Sequence, residues 1–425
     1  MDEIKNPYVN SIWKALNAFI ENIKSLYDSF EYSEIMLRSQ KLEAQKEYNA
    51  FVKPYLSVRP GDGPVLRTTP IIPKEKEKQF LHVERKLQRS QESSKLLMRS
   101  YIVSMVSQFD AFIANLMRSL YEINPDKLKQ AGHIMTFADL QAFPSIEAAR
   151  ESVIESKIEN ILRDSHQEQF KELASTIGVQ KLNKFANWPF FVEITQRRNL
   201  FVHSNGIVSN QYLNICKNEG VDLKDVKKGD QLDVDRPYFV KAFNIFYEVS
   251  VKLSQMSLRV LLLKKDESCL GEIDMCMNSS IHDLINDERY DVAIELCNFA
   301  LDPQFKHSDL NRIQLLLNRA QAYKWKGDDA RCKQLLESED TSSWRSELKC
   351  PMYALEEDID RVCEMMISSG KNSDILDADT YRTWPIFKGV RGEERFKETF
   401  KQVFGEDIDI DVKSTDAQNE SVKVD

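Results

Sequence analysis

Apolar residues recur at helical spacing along most of the chain, beginning near residue 9. The first seam consists of seven apolar residues spaced alternately three and four apart: Val9, Ile12, Leu16, Phe19, Ile23, Leu26 and Phe30. This is the heptad pattern of one helix face, and Pro7 suits the first turn of such a helix. The seam is short for a coiled coil, so it favours a helix docked on its own core over a dimer-forming helix.

A second long helix is predicted from Glu75 to Tyr121. A segment rich in proline and glycine, residues 54–73, separates it from the first, because this composition cannot continue a helix. Its later part, the run KLLMRSYIVSMVSQFDAFIANLMRSLY, is apolar on most sides, which predicts a central, buried position. Asp110 lies in the middle of its apolar run, where a carboxylate needs a partner. The alternative interpretation is that Asp110 is a charge on the helix surface or forms only a local hydrogen bond.

Three further helices are predicted before residue 265. Residues 145–176 have the pattern of one amphipathic helix. Trp188 and Pro189 open the next helix, and Asn205–Gly206 end it with a left-handed cap. Residues 207–234 have loop chemistry with a short hairpin. Asp235 and Pro237 then start an apolar helix that runs to Leu263.

The pattern changes to a helix-turn-helix repeat after residue 275. Small residues occur together with aromatic ones at the spacing that closely packed helix pairs need: Ala293, Ala320 and Ala322 with Tyr290 and Tyr323. The sequence therefore predicts an all-α protein with four parts. These are an N-terminal helix and linker (1–80), a helical bundle (81–265), a repeat region (266–406) and a disordered acidic tail (407–425).

Net charge, cysteine spacing and the lack of long apolar runs argue against several classes of protein. The net charge is −9 over 425 residues, which argues against a protein that coats nucleic acid by bulk charge but leaves room for a small phosphate site. The seven cysteines contain no Cys-x-x-Cys pair, so we expect reduced core thiols and neither a metal nor a cofactor. With no apolar signal core or membrane-length apolar run, the expected location is cytoplasmic, without a membrane partner.

The segment from Glu193 to His203 carries the candidate chemistry. On a helix, Gln196, Asn199 and His203 share one face, and Arg198 flanks it. Glu193 lies four residues before Arg197, which allows an intrahelical ion pair.

These residue types suit cleavage of a phosphodiester in RNA. A guanidinium binds phosphate through a bidentate fork, and histidine moves protons near neutral pH. The 2′-hydroxyl of RNA is an internal nucleophile, so such a reaction needs no metal. The alternative is that Arg198 and His203 are surface residues near a helix end, where positive side chains are favourable anyway.

The run RRNLFVHSNGIV resembles the signature of the HEPN superfamily. In that signature an arginine, an adjacent polar residue and a following histidine correspond to Arg198, Asn199 and His203. The resemblance covers about residues 85–265 and implies an up-and-down helical bundle. It also implies a metal-independent ribonuclease, commonly a toxin or antiviral effector, with a site shared by two protomers. A carboxylate in the early helix corresponds weakly to Asp110.

The later region, with its run NRAQAYKWKGD, resembles TPR repeats, although Glu288–Arg289 replaces the glycine expected in the first turn. That resemblance implies a protein-binding scaffold.

The sequence hypothesis is thus an endoribonuclease with Arg198, Asn199 and His203 as catalytic residues. Arg197 and Gln196 would contact substrate, with Asp110 and Glu193 in support. Arg198 and His203 point about 140° apart on one helix, which predicts a homodimer that builds one groove. The alternatives are a non-catalytic interaction protein that dimerises and recruits a partner enzyme, and a toxin–antitoxin component whose activity a partner masks.

Overall fold

The computed structural model describes residues 4–56, 70–129, 135–183, 185–373 and 375–408. It divides the chain into two compact units, Met1–Leu262 and Leu263–Asp425. Within these ranges every regular element is a helix, and the only extended pairing is two isolated bridges, which confirms the all-α prediction. No helix in the described part is both long and apolar enough to cross a bilayer. Residues 409–425 of the predicted tail, and 57–69 of the proline-rich segment, lie outside the described residues.

The first unit contains nine α-helices in its described ranges. They are α1 (Pro7–Val52), α2 (Glu77–Ile123), α3 (Asp126–Lys129), α4 (Phe137–Gln141), α5 (Ile146–Arg163), α6 (His166–Ile177), α7 (Trp188–Ser204), α8 (Asn210–Asn218) and α9 (Arg236–Met256). The helices α1 and α2 pack along each other, and the Asn6 side chain caps the first amides of α1. Six of the seven seam residues are buried, so α1 docks on its own core as predicted.

An aromatic cluster holds α2 in the centre of this unit. Phe109 on α2 lies 5.8 Å from Phe19 on α1, 5.4 Å from Phe191 on α7 and 5.1 Å from Phe246 on α9, measured between ring centroids. Each fully buried phenylalanine contributes roughly 1.5–3 kcal/mol to folding. The cluster therefore fixes α7 against α2, and it brings Asp110, the next residue on α2, close to α7.

The single helix predicted over residues 145–176 is wrong, because the chain breaks between α5 and α6. Asp164 has extended backbone, and the Ser165 side chain caps α6 by accepting a hydrogen bond from the Glu168 amide at 3.4 Å. A serine cap competes with helix continuation because its hydroxyl satisfies an amide of the following turn. The break places His166 in the first turn of α6.

The ends of α7 follow the predicted signals. Pro189 lies in its first turn, and Asn205 (φ 48°) and Gly206 (φ 79°) form the left-handed end. A side chain at Gly206 would put a Cβ atom 2.8 Å from the Leu232 carbonyl oxygen, so this position requires glycine.

Residues 207–234 differ from the predicted loop and hairpin. They contain the short helix α8, capped by Ser209, and the pairing is reduced to one bridge between Ile207 and Gln231. The helix α9 begins after its predicted cap, Asp235, and a π-helix, Ser257–Leu262, follows it over the last part of the predicted span.

The second unit contains eight α-helices in its described part. They are α10 (Leu270–Asn286), α11 (Tyr290–Ala300), α12 (Asp309–Trp325), α13 (Asp329–Glu337), α14 (Ser346–Leu355), α15 (Ile359–Ser369), α16 (Ala378–Thr383) and α17 (Glu394–Phe404). The turns within the pairs α10–α11, α12–α13 and α14–α15 share one geometry. Each has a residue with positive φ at the same place: Glu288, Gly327 and Glu357. The residue after it donates its amide to a carbonyl five positions back in all three turns. These are three copies of one helix-turn-helix unit.

Candidate functional site

A cavity of about 460 Å³ lies beside the carboxyl half of α7 and the first turns of α6 and α8. Its wall contains four polar residues of α7 that the sequence singled out: Gln196, Arg198, Asn199 and His203. Asp110 of α2 lines the same cavity. Five of the seven candidate residues thus meet at one place within a single chain, although Arg198 and His203 are five positions apart on their helix.

Arg198 is only partly satisfied by its neighbours. Its Nη1 donates a hydrogen bond to Asn199 Oδ1 at 3.2 Å, and its Nη2 lies 4.0 Å from Asp110 Oδ2. Its Nε is buried and has no hydrogen-bond partner among the described residues. Buried donors are normally paired, so Arg198 has hydrogen-bonding capacity that the rest of the protein leaves unused.

Asp110 lies between Arg198 and a histidine of α6. His166 Nε2 is 3.0 Å from Asp110 Oδ1, although the ring N–H is not aligned for a hydrogen bond. The His166 ring packs at 6.1 Å from Phe109 and at 6.0 Å from Phe191. Asp110 therefore faces a histidine and an arginine at the cavity, and its side chain stays about a quarter exposed (26%).

The remaining α7 residues of the cavity differ in exposure. Gln196 is 7% exposed and forms part of the wall. His203, in the last turn of α7, is exposed, and it forms no hydrogen bond or ion pair with any residue in the described ranges. Its imidazole is therefore available to a molecule that enters the cavity.

Glu193 and Arg197 do not line this cavity. The Glu193 carboxylate is 3% exposed and accepts hydrogen bonds from Arg197 Nε at 2.7 Å, Tyr212 Oη at 2.6 Å and Tyr238 Oη at 2.7 Å. The Arg197 guanidinium also donates to the Asp233 carbonyl oxygen and stacks on the Tyr238 ring at 4.0 Å. Burial, followed by the charge of Glu193, raises the pKa of both tyrosines. This network connects α7, α8 and α9. The sequence predicts its Glu193–Arg197 ion pair but not the two tyrosine donors.

Two helix amino termini border the cavity. Ser165 and His166 of α6, and Ser209 and Gln211 of α8, are among its lining residues. The unpaired amides at the start of a helix carry about half a positive charge, which favours an anion nearby. Asp110 and Asp164, which also line the cavity, offset part of this charge, and Arg163 and Arg198 add to it. The cavity is thus locally suited to an anion in a chain whose net charge is negative.

The thiols offer no alternative nucleophile. All seven cysteines are buried, and none forms a disulfide. Burial, followed by the charge of Glu193, raises the pKa of Cys216 to about 12, so its thiol stays protonated at neutral pH. Within the described ranges, no group of three or more His, Cys, Asp or Glu side chains is arranged to hold a metal ion.

Sequence reasoning missed one member of the site, His166. The pattern from Ser165 to Glu168, a serine followed three residues later by a glutamate, is a recognised helix-start signature and would have separated α6 from α5. No protein family, curated protein or solved structure matches the chain. The two family resemblances rest on the residues quoted for them.

Proposed function

We propose that this cavity binds a phosphodiester of RNA and cleaves it without a metal ion, using the substrate's own 2′-hydroxyl as nucleophile. The supporting observation is that Arg198, with unused donor capacity, and His203, an imidazole without a partner, line one cavity. This reaction needs those two functions, because charge develops on the phosphate while protons move at the attacking and leaving oxygens.

Each residue has a distinct role in this proposal. Arg198 binds the non-bridging phosphate oxygens and stabilises their developing charge. Asn199 orients Arg198 through the hydrogen bond to its Nη1. His203 transfers a proton to or from the substrate. Gln196 contacts the substrate at the cavity wall. Arg197 and Glu193 hold α7 in place through the buried network, and their contribution to substrate binding is indirect.

The test compares cleavage of one defined RNA by the wild type and by variants at the cavity. We expect His203→Ala to lose about 10²- to 10⁴-fold in rate, as is typical for a proton-transfer group. Arg198→Ala should be inactive, and Arg198→Lys should recover little, because a point charge does not reproduce the guanidinium fork. Activity should persist in EDTA, and the product should carry a 2′,3′-cyclic phosphate.

Matched controls come from the exposed part of α2. His82→Gln and Arg89→Ala change the same residue types at exposed positions outside the cavity. Both controls should cleave at the wild-type rate, with circular dichroism confirming the fold of every variant. Wild-type cleavage by His203→Ala would show that the motif is not the site. If the wild type cuts no RNA under any condition, the hypothesis of a non-catalytic interaction protein replaces this one.

The wider assignment is part of the same proposal. The protein would act as a defence or toxin-type effector, with the helix-turn-helix units of residues 270–369 binding a protein partner that regulates cleavage. The predicted homodimer is tested by sedimentation at micromolar concentration. Arg198 and His203 already line one cavity in a single chain, so a fully active monomer is geometrically feasible and would remove the need for a shared groove.

A further inference from the structure

We infer that His166 is the second proton-transfer residue of this cavity, and that it protonates the leaving 5′ oxygen while His203 deprotonates the attacking 2′-hydroxyl. The inference rests on the proposed cleavage of RNA at the same cavity. It adds a catalytic residue that lies outside the motif on α7 and comes from a different helix.

The chemistry of the reaction calls for two such groups. The 2′ oxygen forms a bond to phosphorus as its proton passes to His203, and the bond from phosphorus to the 5′ oxygen breaks as that oxygen takes a proton from His166. The products are a 2′,3′-cyclic phosphate and a 5′-hydroxyl. The two histidines exchange one proton each with water to return to their starting states, so no metal or further reactant enters the balance. A lone histidine would have to serve as base and acid in the same step.

The position of His166 fits this role. It lies in the first turn of α6 and lines the cavity together with His203 and Arg198. Its ring is held between aromatic neighbours and its side chain is only 13% exposed. Its Nε2 faces Asp110, whereas its Nδ1 forms no hydrogen bond to any residue that the structure describes. Nδ1 is therefore the nitrogen that can exchange a proton with a bound substrate.

Asp110 acts as a positioning residue for both His166 and Arg198. Its two carboxylate oxygens face different partners, His166 at 3.0 Å and Arg198 at 4.0 Å. A carboxylate beside one ring nitrogen fixes the orientation of an imidazole, which leaves the other nitrogen free to face the substrate. The same carboxylate lies near both Arg198 and the imidazole, so it links the phosphate-binding group to the proton donor.

The decisive test replaces the leaving oxygen of the RNA by sulfur. In an RNA with a 5′-bridging phosphorothiolate, the 5′ sulfur leaves as a thiolate without needing a proton, because thiols are far more acidic than alcohols. On ordinary RNA we expect His166→Gln to lose about 10²- to 10⁴-fold in rate. On the sulfur-bridged RNA the same variant should return to within about tenfold of the wild type. His203→Gln should stay impaired on both substrates, because the 2′-hydroxyl must still lose its proton.

Asp110→Asn provides a second variant, and His82→Gln again serves as the matched control. The asparagine should slow cleavage of ordinary RNA and be rescued only in part by the sulfur bridge, because Asp110 also faces Arg198, whose role does not depend on the leaving oxygen. Partial rescue keeps the inference testable if His166→Gln does not fold. If the wild type cleaves RNA and His166→Gln matches it, the inference is wrong. If the loss is not rescued by sulfur in a folded variant, His166 has a structural role only. If the wild type cleaves neither RNA, the proposed function itself fails, and this inference with it.

Discussion

Replacement of Glu193 is expected to destabilise the first unit strongly, even though its neighbours on α7 are candidate catalytic residues. The Glu193 carboxylate is 3% exposed and accepts three hydrogen bonds within 2.7 Å. A hydrogen bond to a charged group contributes about 1.5–3 kcal/mol, and contributions within one network do not add fully. For Glu193→Ala we therefore expect a loss of about 3–5 kcal/mol, the range for breaking a buried ion pair.

Cys216 provides a local reporter for this measurement. It is the one cysteine of the first unit, it is fully buried, and it packs in a cluster with Tyr212. Its rate of labelling by a thiol reagent, resolved by peptide mass spectrometry, follows the population of opened molecules. A loss of 3–5 kcal/mol corresponds to labelling roughly 10²- to 10⁴-fold faster, since each 1.4 kcal/mol is a factor of ten.

Two smaller variants and one control bracket this value. Tyr212→Phe and Tyr238→Phe each remove one donor to Glu193, and each should cost about 1.5–3 kcal/mol. Glu155→Ala removes an exposed glutamate of α5 and should stay within about 0.5 kcal/mol of the wild type. If Glu193→Ala labels at the wild-type rate, the network does not hold α7 in place, and Glu193 must be reconsidered as part of the site.

Three further predictions concern pH, the repeat turns and the division of the chain. Burial and Glu193 raise the pKa of Tyr212 and Tyr238, so their contribution to stability is complete below about pH 10 and falls as pH rises further. Between pH 9 and 11, the urea midpoint should drop less for Tyr238→Phe than for wild type. Glu288 has a φ of 56°, so Glu288→Gly should raise stability by about 0.5–1 kcal/mol, whereas Gly327→Ala should lower it by a similar amount in thermal melts. A chain ending at Lys265 should stay soluble and helical; aggregation, with one cooperative melt of the full chain, would contradict this.

The sequence predicts the helices that have strong local signals. The proline in the first turn of α7, the Asn205–Gly206 end and the Asp235 cap of α9 all act through a few adjacent residues, so they can be recognised without the fold. The apolar seam of α1 likewise indicates its docking, because one face is apolar over several turns.

The errors lie where short helices and long-range contacts decide the structure. The helix α8 has only nine residues, which is below the length at which periodicity separates a helix from a loop. The break at Ser165 is hidden by apolar residues that continue on both sides of it. Proximity of His166 to Asp110 depends on how α6 packs against α2, which no local pattern specifies. The residues of α7 can thus be read from the sequence, whereas their partners across the cavity cannot.

The most direct test of the proposed function is cleavage of an RNA that lacks a single 2′-hydroxyl. The cleavage position is first mapped on an all-ribose RNA, and a 2′-deoxy nucleotide is then placed immediately 5′ of that phosphate. Our account predicts that the wild type leaves this position uncut while still cutting any other mapped site. Each cut should leave a 2′,3′-cyclic phosphate on the upstream fragment and a 5′-hydroxyl on the downstream fragment. Cleavage at the deoxy position at a comparable rate, or products with a 3′-hydroxyl and a 5′-phosphate, would contradict it.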